Sequence, residues 1–201
     1  MVATRELPRD YLEAGSVDLK RDSRLPILLS VAGLVLFLGF GWLFVVVLGR
    51  LRPEVADTGL SFRFGDLYGL LALVLGATVL MATVVVAHEA VHGLFIWLFT
   101  RSKPMFDVGL GYASAGAPDW YLSRLPYLIV ALAPLLVLTL LGLVALALAP
   151  SALLLPTVAF LALNAGGAVG DLAVAVWVLL QPADCLMNDS GDRVTLYRRL
   201  R

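Results

Sequence analysis

The chain has 201 residues, of which 60% are hydrophobic and 15% are charged, and its mean hydropathy is +0.91. Soluble domains are about 45–50% apolar and about 25% charged, so this composition excludes an ordinary water-soluble globule and a disordered chain. The 15 basic residues are balanced by 15 acidic ones, which argues against nucleic acid as a partner. A single cysteine, Cys185, excludes a disulfide framework. The remaining class is an integral membrane protein surrounded by the lipid bilayer.

Four apolar runs are each long enough to cross a bilayer, which takes about 20 mainly apolar residues. The predicted spans cover residues 26–48, 67–99, 125–149 and 153–180. The sequence therefore predicts an all-α integral membrane fold with four transmembrane helices. These form one domain, residues 26–180, between an N-tail of residues 1–25 and a C-tail of residues 181–201.

Lys and Arg are distributed unevenly between the two sides of these spans. Twelve lie in the N-tail, the connection between the second and third spans, and the C-tail, whereas three lie between the first and second spans. Cytoplasmic connections carry the excess of Lys and Arg in membrane proteins, so we expect both tails to be cytoplasmic.

The second span contains the motif His88-Glu89-Ala90-Val91-His92, an H-E-x-x-H. Residues four apart lie on one face of a helix, so both imidazoles can bind one metal ion. Glu89 is rotated from them but lies on the same half of the helix, where it could accept a proton from a metal-bound water. These are the only two histidines of the chain.

A structural hydrogen bond between Glu89 and a neighbouring helix is the alternative explanation of this motif. A charged side chain at mid-bilayer costs about 2.5–3.5 kcal/mol on insertion scales, so intramembrane Glu and His usually serve a function. Metal binding is therefore the favoured interpretation.

A third ligand is expected, because catalytic zinc usually has three protein ligands and an open position for water. With no third histidine it must be a carboxylate or Cys185, and Asp171 is the only acid besides Glu89 inside a predicted span. Asp171 lies about 16 Å from the cytoplasmic end of its span and His88 about 18 Å from the same end, so they can meet. A helix-packing hydrogen bond or a proton-relay role is the alternative for Asp171.

The segment before Asp171 is rich in small residues, and Gly166 and Gly170 form a G-x-x-x-G pattern that allows two helices to pack closely. Asn164 lies seven residues before Asp171 and thus on nearly the same stripe of the helix. Its amide could orient a substrate carbonyl or donate to an oxyanion, and an interhelical hydrogen bond is the alternative.

The connection between the second and third spans carries a strand-like alternation of apolar and other residues over 106–112. Residues 113–118, rich in Gly and Ala, are interpreted as a turn. A short strand or re-entrant connection here could pair with an extended substrate, and a surface loop is the alternative.

Taken together, the H-E-x-x-H motif, Ala133-Pro134 and Asn164 with Gly170-Asp171-Leu172 resemble the zincin peptidase family of small bacterial and archaeal integral-membrane proteins. More distantly, the chain is similar to the site-2 intramembrane zinc metalloproteases. The resemblance implies a prokaryotic cytoplasmic membrane, zinc ligands His88, His92 and Asp171, and Glu89 as general base. Site-2 proteases carry prolines before the comparable aspartate, whereas none lies between Asn164 and Asp171 here.

The functional hypothesis is an intramembrane zinc metalloprotease that hydrolyses peptide bonds of a membrane protein or peptide substrate in or near the bilayer. Two alternatives stay open: a metal-binding membrane protein without proteolytic activity, and a structural subunit of a membrane complex. Zinc content and turnover that depends on Glu89 discriminate between them.

Overall fold

The computed structural model describes residues 2–18, 24–56, 67–109 and 112–200. Within these ranges the helices are α1 (Leu25–Leu51), α2 (Pro53–Ala56), α3 (Leu67–Thr100), α4 (Arg124–Leu148), α5 (Ser151–Gly167) and α6 (Val169–Leu179). The strands are β1 (Ala3–Thr4), β2 (Tyr11–Asp18), β3 (Met105–Gly109), β4 (Tyr112–Ser123), β5 (Leu186–Asp189) and β6 (Arg193–Arg199).

Helices α1, α3 and α4 are each long and apolar enough to cross a membrane, and α5 with α6 meets the same test as a bent pair. Only 11% of the most apolar window of α1 and 6% of that of α3 is buried inside the protein. So much exposed apolar surface would be costly in water and fits lipid tails instead. These features are those of a membrane protein, as the composition predicts.

The fourth predicted span, residues 153–180, is two helices rather than one. α5 ends at Gly167, α6 begins at Val169, and the two axes differ by 42°. Gly166 and Gly167 favour a break because glycine is about 1 kcal/mol less favourable than alanine in a helix. The break places Asp171 in the first turn of α6, where the helix dipole favours a carboxylate.

An all-α fold is wrong, because the structure contains a six-stranded sheet. Its main order is β1-β4-β5-β6-β2, with β3 paired to β4, and every pairing is antiparallel. The predicted N-tail supplies β1 and β2, and the predicted C-tail supplies β5 and β6. Both tails therefore lie at the same end of the helices as the hairpin between α3 and α4. Which compartment this end faces stays a prediction.

The strand predicted over 106–112 is present in part, as β3 over Met105–Gly109. The turn predicted over 113–118 is wrong, because those residues belong to β4. The chain reverses instead between Gly109 and Tyr112, which are paired across the turn. Small residues in 113–118 resemble a turn in sequence, but they allow β4 to pack closely against α3 and the β5–β6 turn.

Two apolar clusters form the described core. One joins the sheet to α3, α4 and α6, and the other lies between α1, α4 and α5. Cys185, predicted as a tail residue or possible ligand, is buried in the first cluster, and burial raises the pKa of its thiol.

Only one glycine of the predicted G-x-x-x-G pattern lies in a close contact. A Cβ on Gly166 would come within 3.0 Å of the Gly33 carbonyl oxygen on α1, whereas a Cβ on Gly170 would meet nothing within 4 Å. Gly166 therefore allows α1 and α5 to approach closely, and Gly170 opens onto a cavity.

Candidate metal centre

His88 and His92 of α3 converge on the carboxylate of Asp171 of α6. The Nε2 atom of His88 lies 2.9 Å from Asp171 Oδ2, and that of His92 lies 3.3 Å from Asp171 Oδ1. The two imidazole rings meet edge to face with centroids 4.9 Å apart. One ligand atom from each residue lies within 4.8 Å of the others, so the three together could hold a metal ion.

The orientation of His92 depends on a proline in α4. His92 Nδ1 lies 2.9 Å from the carbonyl oxygen of Val130, which can only accept a hydrogen bond. Four residues later, Pro134 has no N–H to donate to this carbonyl, so the usual helical bond is absent. His92 therefore carries its proton on Nδ1 and presents the lone pair of Nε2 towards Asp171.

Asn164, in the last turn of α5, orients His88 in the same way. Its amide nitrogen donates to the carbonyl oxygen of Pro134 at 3.4 Å, and its Oδ1 therefore faces His88 Nδ1 at 3.0 Å. His88 donates through Nδ1, which leaves the Nε2 lone pair free. Metal-binding histidines typically donate their other ring N–H to such an acceptor.

This position differs from the substrate or oxyanion role predicted for Asn164. The residue is 0% exposed and both ends of its amide are engaged within the protein. The Asn164 amide faces His88 of α3 and the Pro134 carbonyl of α4. Asn164 is therefore a partner of His88.

The donor set fits zinc. Two imidazole nitrogens and one carboxylate oxygen are the ligand types that Zn²⁺ accepts, and three protein ligands are usual where a position is left for water. Both imidazoles are buried, at 8% and 7% exposed, and each has an acceptor for its remaining ring N–H. Buried histidines supported in this way are typical of metal sites.

Glu89 lies on the wall of the same cavity as these three residues. Its carboxyl group interacts with the backbone N–H of Ala115 in β4. Its Oε2 is buried and has no hydrogen-bond partner among the described residues. The expected structural alternative, a bond from Glu89 to a neighbouring helix, is not seen in the described part of the chain. An unpartnered carboxylate oxygen beside a possible metal site is suited to proton transfer.

A cavity of about 1010 Å³ connects the metal centre with the sheet and with the gap between α1 and α3. Most of its lining is apolar. Between α1 and α3 it is lined by Leu25 and Leu29, in the first two turns of α1, and by Met81 and Val85 of α3. At the sheet end it is lined by β4 and the turn between β5 and β6. The cavity could therefore accept an apolar chain segment next to Glu89.

The β3–β4 hairpin packs along α3 beside this cavity. A Cβ on Gly93 would come within 2.5 Å of the Phe106 ring, so the glycine allows β3 to lie directly on the helix one residue after His92. Five residues of strand extend about 16 Å, which brings the end of β3 to roughly the depth of His88. Val108, near that end, is 77% exposed and apolar. These features suit a re-entrant hairpin.

Two further residues on the cavity wall, Tyr127 and Asp189, carry no motif in the sequence. Tyr127 of α4 donates a hydrogen bond to Asp189 Oδ2 at 3.0 Å, and burial raises the pKa of Asp189 to about 6. Asp189 was assigned to a tail, and no local pattern distinguishes it from the other acids there. Among the acids outside the predicted spans, Asp107 and Asp119 lie outside the metal cluster, and Asp22, Asp57 and Asp66 lie outside the described residues.

Comparison with protein families decides the affiliation of the chain. A family model described as "Putative zincin peptidase" matches residues 81–186, which include His88, Glu89, His92, Asn164 and Asp171. The chain belongs to this family. No curated protein and no solved structure matches this zincin family member.

Proposed function

We propose that this zincin family member is a membrane-embedded zinc peptidase that hydrolyses peptide bonds in or near the bilayer. The observation that carries the proposal is the convergence of His88 Nε2, His92 Nε2 and the Asp171 carboxylate beside the unpartnered Oε2 of Glu89. The family description and the apolar helices support it.

Each residue has a distinct task in the proposed reaction. His88, His92 and Asp171 would hold zinc, which when bound polarises a carbonyl group and lowers the pKa of water towards about 7. Glu89 accepts a proton from the attacking water as the oxygen bonds to the scissile carbon. The carbon–nitrogen bond then breaks, and Glu89 returns the proton to the leaving amine, giving a carboxylic acid and an amine.

The edge of β4 supports an extended peptide as the substrate. Gly109 pairs with Tyr112 across only two intervening residues, a register in which they form a hydrogen-bonded pair and the backbone groups of Ala113 and Ala115 point away from β3. Both alanines line the cavity. A peptide strand lying there could bond to the backbone of Ala113 and to the carbonyl oxygen of Ala115, and present its own carbonyl next to Glu89, which contacts the Ala115 N–H. A helical substrate would have to unwind first, because its amide groups are already paired.

The cavity also supports a membrane-protein or lipophilic peptide substrate. Between α1 and α3 the cavity is lined by apolar side chains, including Leu29, Met81 and Val85. Its sheet end contains Asp192 and the backbone of β4, which could admit the water that hydrolysis consumes. With both tails on the cytoplasmic side, as the charge distribution predicts, this water would come from the cytoplasm.

The experiment compares wild type, Glu89→Gln and Glu54→Gln, purified in detergent micelles. Each is incubated with a library of apolar peptides, cleaved bonds are identified by mass spectrometry, and zinc content is measured on the same samples. We expect about one zinc per chain in all three, and at least about 100-fold slower cleavage with Glu89→Gln. Glu54, exposed and paired with Arg52, is the matched control and should cleave as wild type does.

Three results would contradict the proposal. Cleavage by Glu89→Gln at the wild-type rate would remove Glu89 as the general base. Absence of zinc from wild type, even after reconstitution with the ion, would favour a structural subunit. Zinc without any Glu89-dependent cleavage of the library would favour the metal-binding protein without proteolytic activity.

A further inference from the structure

Tyr127 and Asp189 form a buried pair on the cavity wall that the proposed reaction does not use. The hydroxyl of Tyr127, a residue only 4% exposed, donates to Asp189 Oδ2 at 3.0 Å. The other oxygen, Oδ1, accepts the backbone N–H of Gly191 at 2.8 Å. Both carboxylate oxygens are therefore engaged, and the pair connects the first turn of α4 to the turn between β5 and β6.

The same end of α4 carries the carbonyl group that orients His92. Val130 follows Tyr127 by three residues, so the two lie on one face of the helix about one turn apart. The Val130 carbonyl oxygen accepts the Nδ1 hydrogen of His92. A shift of the first turn of α4 would therefore move this carbonyl relative to the imidazole.

Asp189 is itself fixed in the sheet. Its backbone pairs with Ala117 of β4 on one side and with Val194 of β6 on the other. The turn that follows contains Gly191 with φ +93°, a conformation that favours glycine. Its added Cβ would come within 2.7 Å of Ser114 Oγ, so β4 also confines this turn. The carboxylate is thus a fixed point against which α4 can be held.

We propose that Tyr127 and Asp189 are positioning residues for the metal centre: they fix the Val130 carbonyl group and, through it, the ring of His92. The C-terminal strands β5 and β6 then form part of the metal site although they supply no ligand. This inference rests on the proposed function in one respect, namely that His92 binds zinc. Loss of a partner that orients a ligand typically weakens metal binding about 10–100-fold.

The test measures zinc affinity by competition with a chelator in Tyr127→Phe, which keeps the ring and removes the hydroxyl. We expect its zinc Kd to rise about 10-fold relative to wild type. At saturating cobalt(II), the visible absorption spectrum of the bound ion should also change, because a rotated His92 alters the ligand geometry. A purely structural loss of stability would leave that spectrum as in wild type.

Asp189→Asn distinguishes the hydrogen-bonded link to α4 from the negative charge of the carboxylate. The amide oxygen can still accept the Gly191 N–H, and the amide nitrogen can donate to the phenol oxygen, so the link to α4 persists without the charge. We therefore expect zinc affinity within about 2-fold of wild type. Asp189→Leu removes the link from the other side and should reproduce the effect of Tyr127→Phe, which keeps the test valid if one variant fails to fold.

Tyr11→Phe is the matched control, because the Tyr11 hydroxyl donates to the carbonyl oxygen of Asp184 and neither residue lines the cavity. It should bind zinc as wild type does. Unchanged zinc affinity and cobalt spectrum in Tyr127→Phe or in Asp189→Leu would overturn the inference, as would a loss in Asp189→Asn as large as in Tyr127→Phe. Failure of wild type to bind zinc would instead overturn the proposed function.

Discussion

His92 donates its Nδ1 hydrogen to the carbonyl oxygen of Val130 at 2.9 Å, and this bond replaces a backbone bond that α4 cannot form. Pro134 leaves the carbonyl unpaired because it lacks an N–H four residues later. A proline inside a membrane helix thus serves the neighbouring helix: its missing donor provides an acceptor for a metal-binding histidine. The Pro134 carbonyl itself accepts from Asn164, the partner of His88. One proline therefore supports both imidazoles.

Pro134→Ala should weaken zinc binding. The new backbone N–H would compete with His92 for the Val130 carbonyl, so we expect zinc Kd to rise several-fold, up to about 10-fold. Pro156→Ala makes the same change inside α5, away from the metal centre, and serves as the control. Equal zinc affinities in wild type and both variants would show that Pro134 has no part in orienting His92.

Asn164→Ala should lower zinc affinity about 10–100-fold. It should also destabilise the fold by about 1–3 kcal/mol, because His88 Nδ1 would lose its buried acceptor. Chelator competition and thermal unfolding in micelles measure the two effects. Asn188→Ala removes an amide that donates to two carbonyls in the sheet, and it should affect stability alone. A variant of Asn164 with wild-type zinc affinity would argue against its role as the partner of His88.

Asp171→Ala should lose most of the bound zinc, because it removes one of three ligands. Asp107→Ala and Asp119→Ala should retain about one zinc per chain, since neither belongs to the cluster. Metal content by mass spectrometry of the purified proteins measures this difference. Similar losses in all three variants would mean that Asp171 is not a ligand.

Gly166→Ala should destabilise the fold, whereas Gly170→Ala should not. A Cβ at Gly166 lies within 3.0 Å of the Gly33 carbonyl oxygen and of the Phe37 side chain, and such overpacking costs about 1–3 kcal/mol. At Gly170 the space is open, and alanine should be neutral or slightly stabilising. Thermal unfolding of both variants in the same detergent tests this, and equal midpoints would contradict the close helix crossing.

The buried carboxyl group of Asp189 should make stability fall as pH rises from about 4 to about 6. Its pKa in the folded protein is about 6, raised by burial from the ordinary 3.8, so the folded state holds the proton longer than the unfolded state. The free energy of unfolding therefore decreases across this window, by at most about 3 kcal/mol, and then levels off. The curve of Asp189→Asn should lack this component. Parallel curves for the two proteins would show that Asp189 titrates normally.

The sequence alone was sufficient for the membrane class, the positions of the long helices and the pairing of His88 and His92. Long apolar runs and an i, i+4 spacing are local properties, and a helix preserves them wherever it packs. The choice of Asp171 also followed locally, because it is a lone acid in an apolar span. The sheet could not be predicted in this way. Strands β2 and β6 pair although they are some 180 residues apart, and no local pattern in the two polar tails indicates that pairing.

Only the tertiary structure decided what supports the metal centre. The helical position of Asn164, on nearly the same stripe as Asp171, suggests a substrate contact, yet its amide is bonded to His88 and to the Pro134 carbonyl instead. No sequence motif marks Val130, Tyr127 or Asp189. The role of Val130 depends on which carbonyl group of α4 is left without a backbone partner, and the roles of Tyr127 and Asp189 depend on which strand end lies against α4. Ligands are identifiable by residue type and spacing. The groups that orient them act through directional hydrogen bonds between distant segments, and these exist only once the chain has folded.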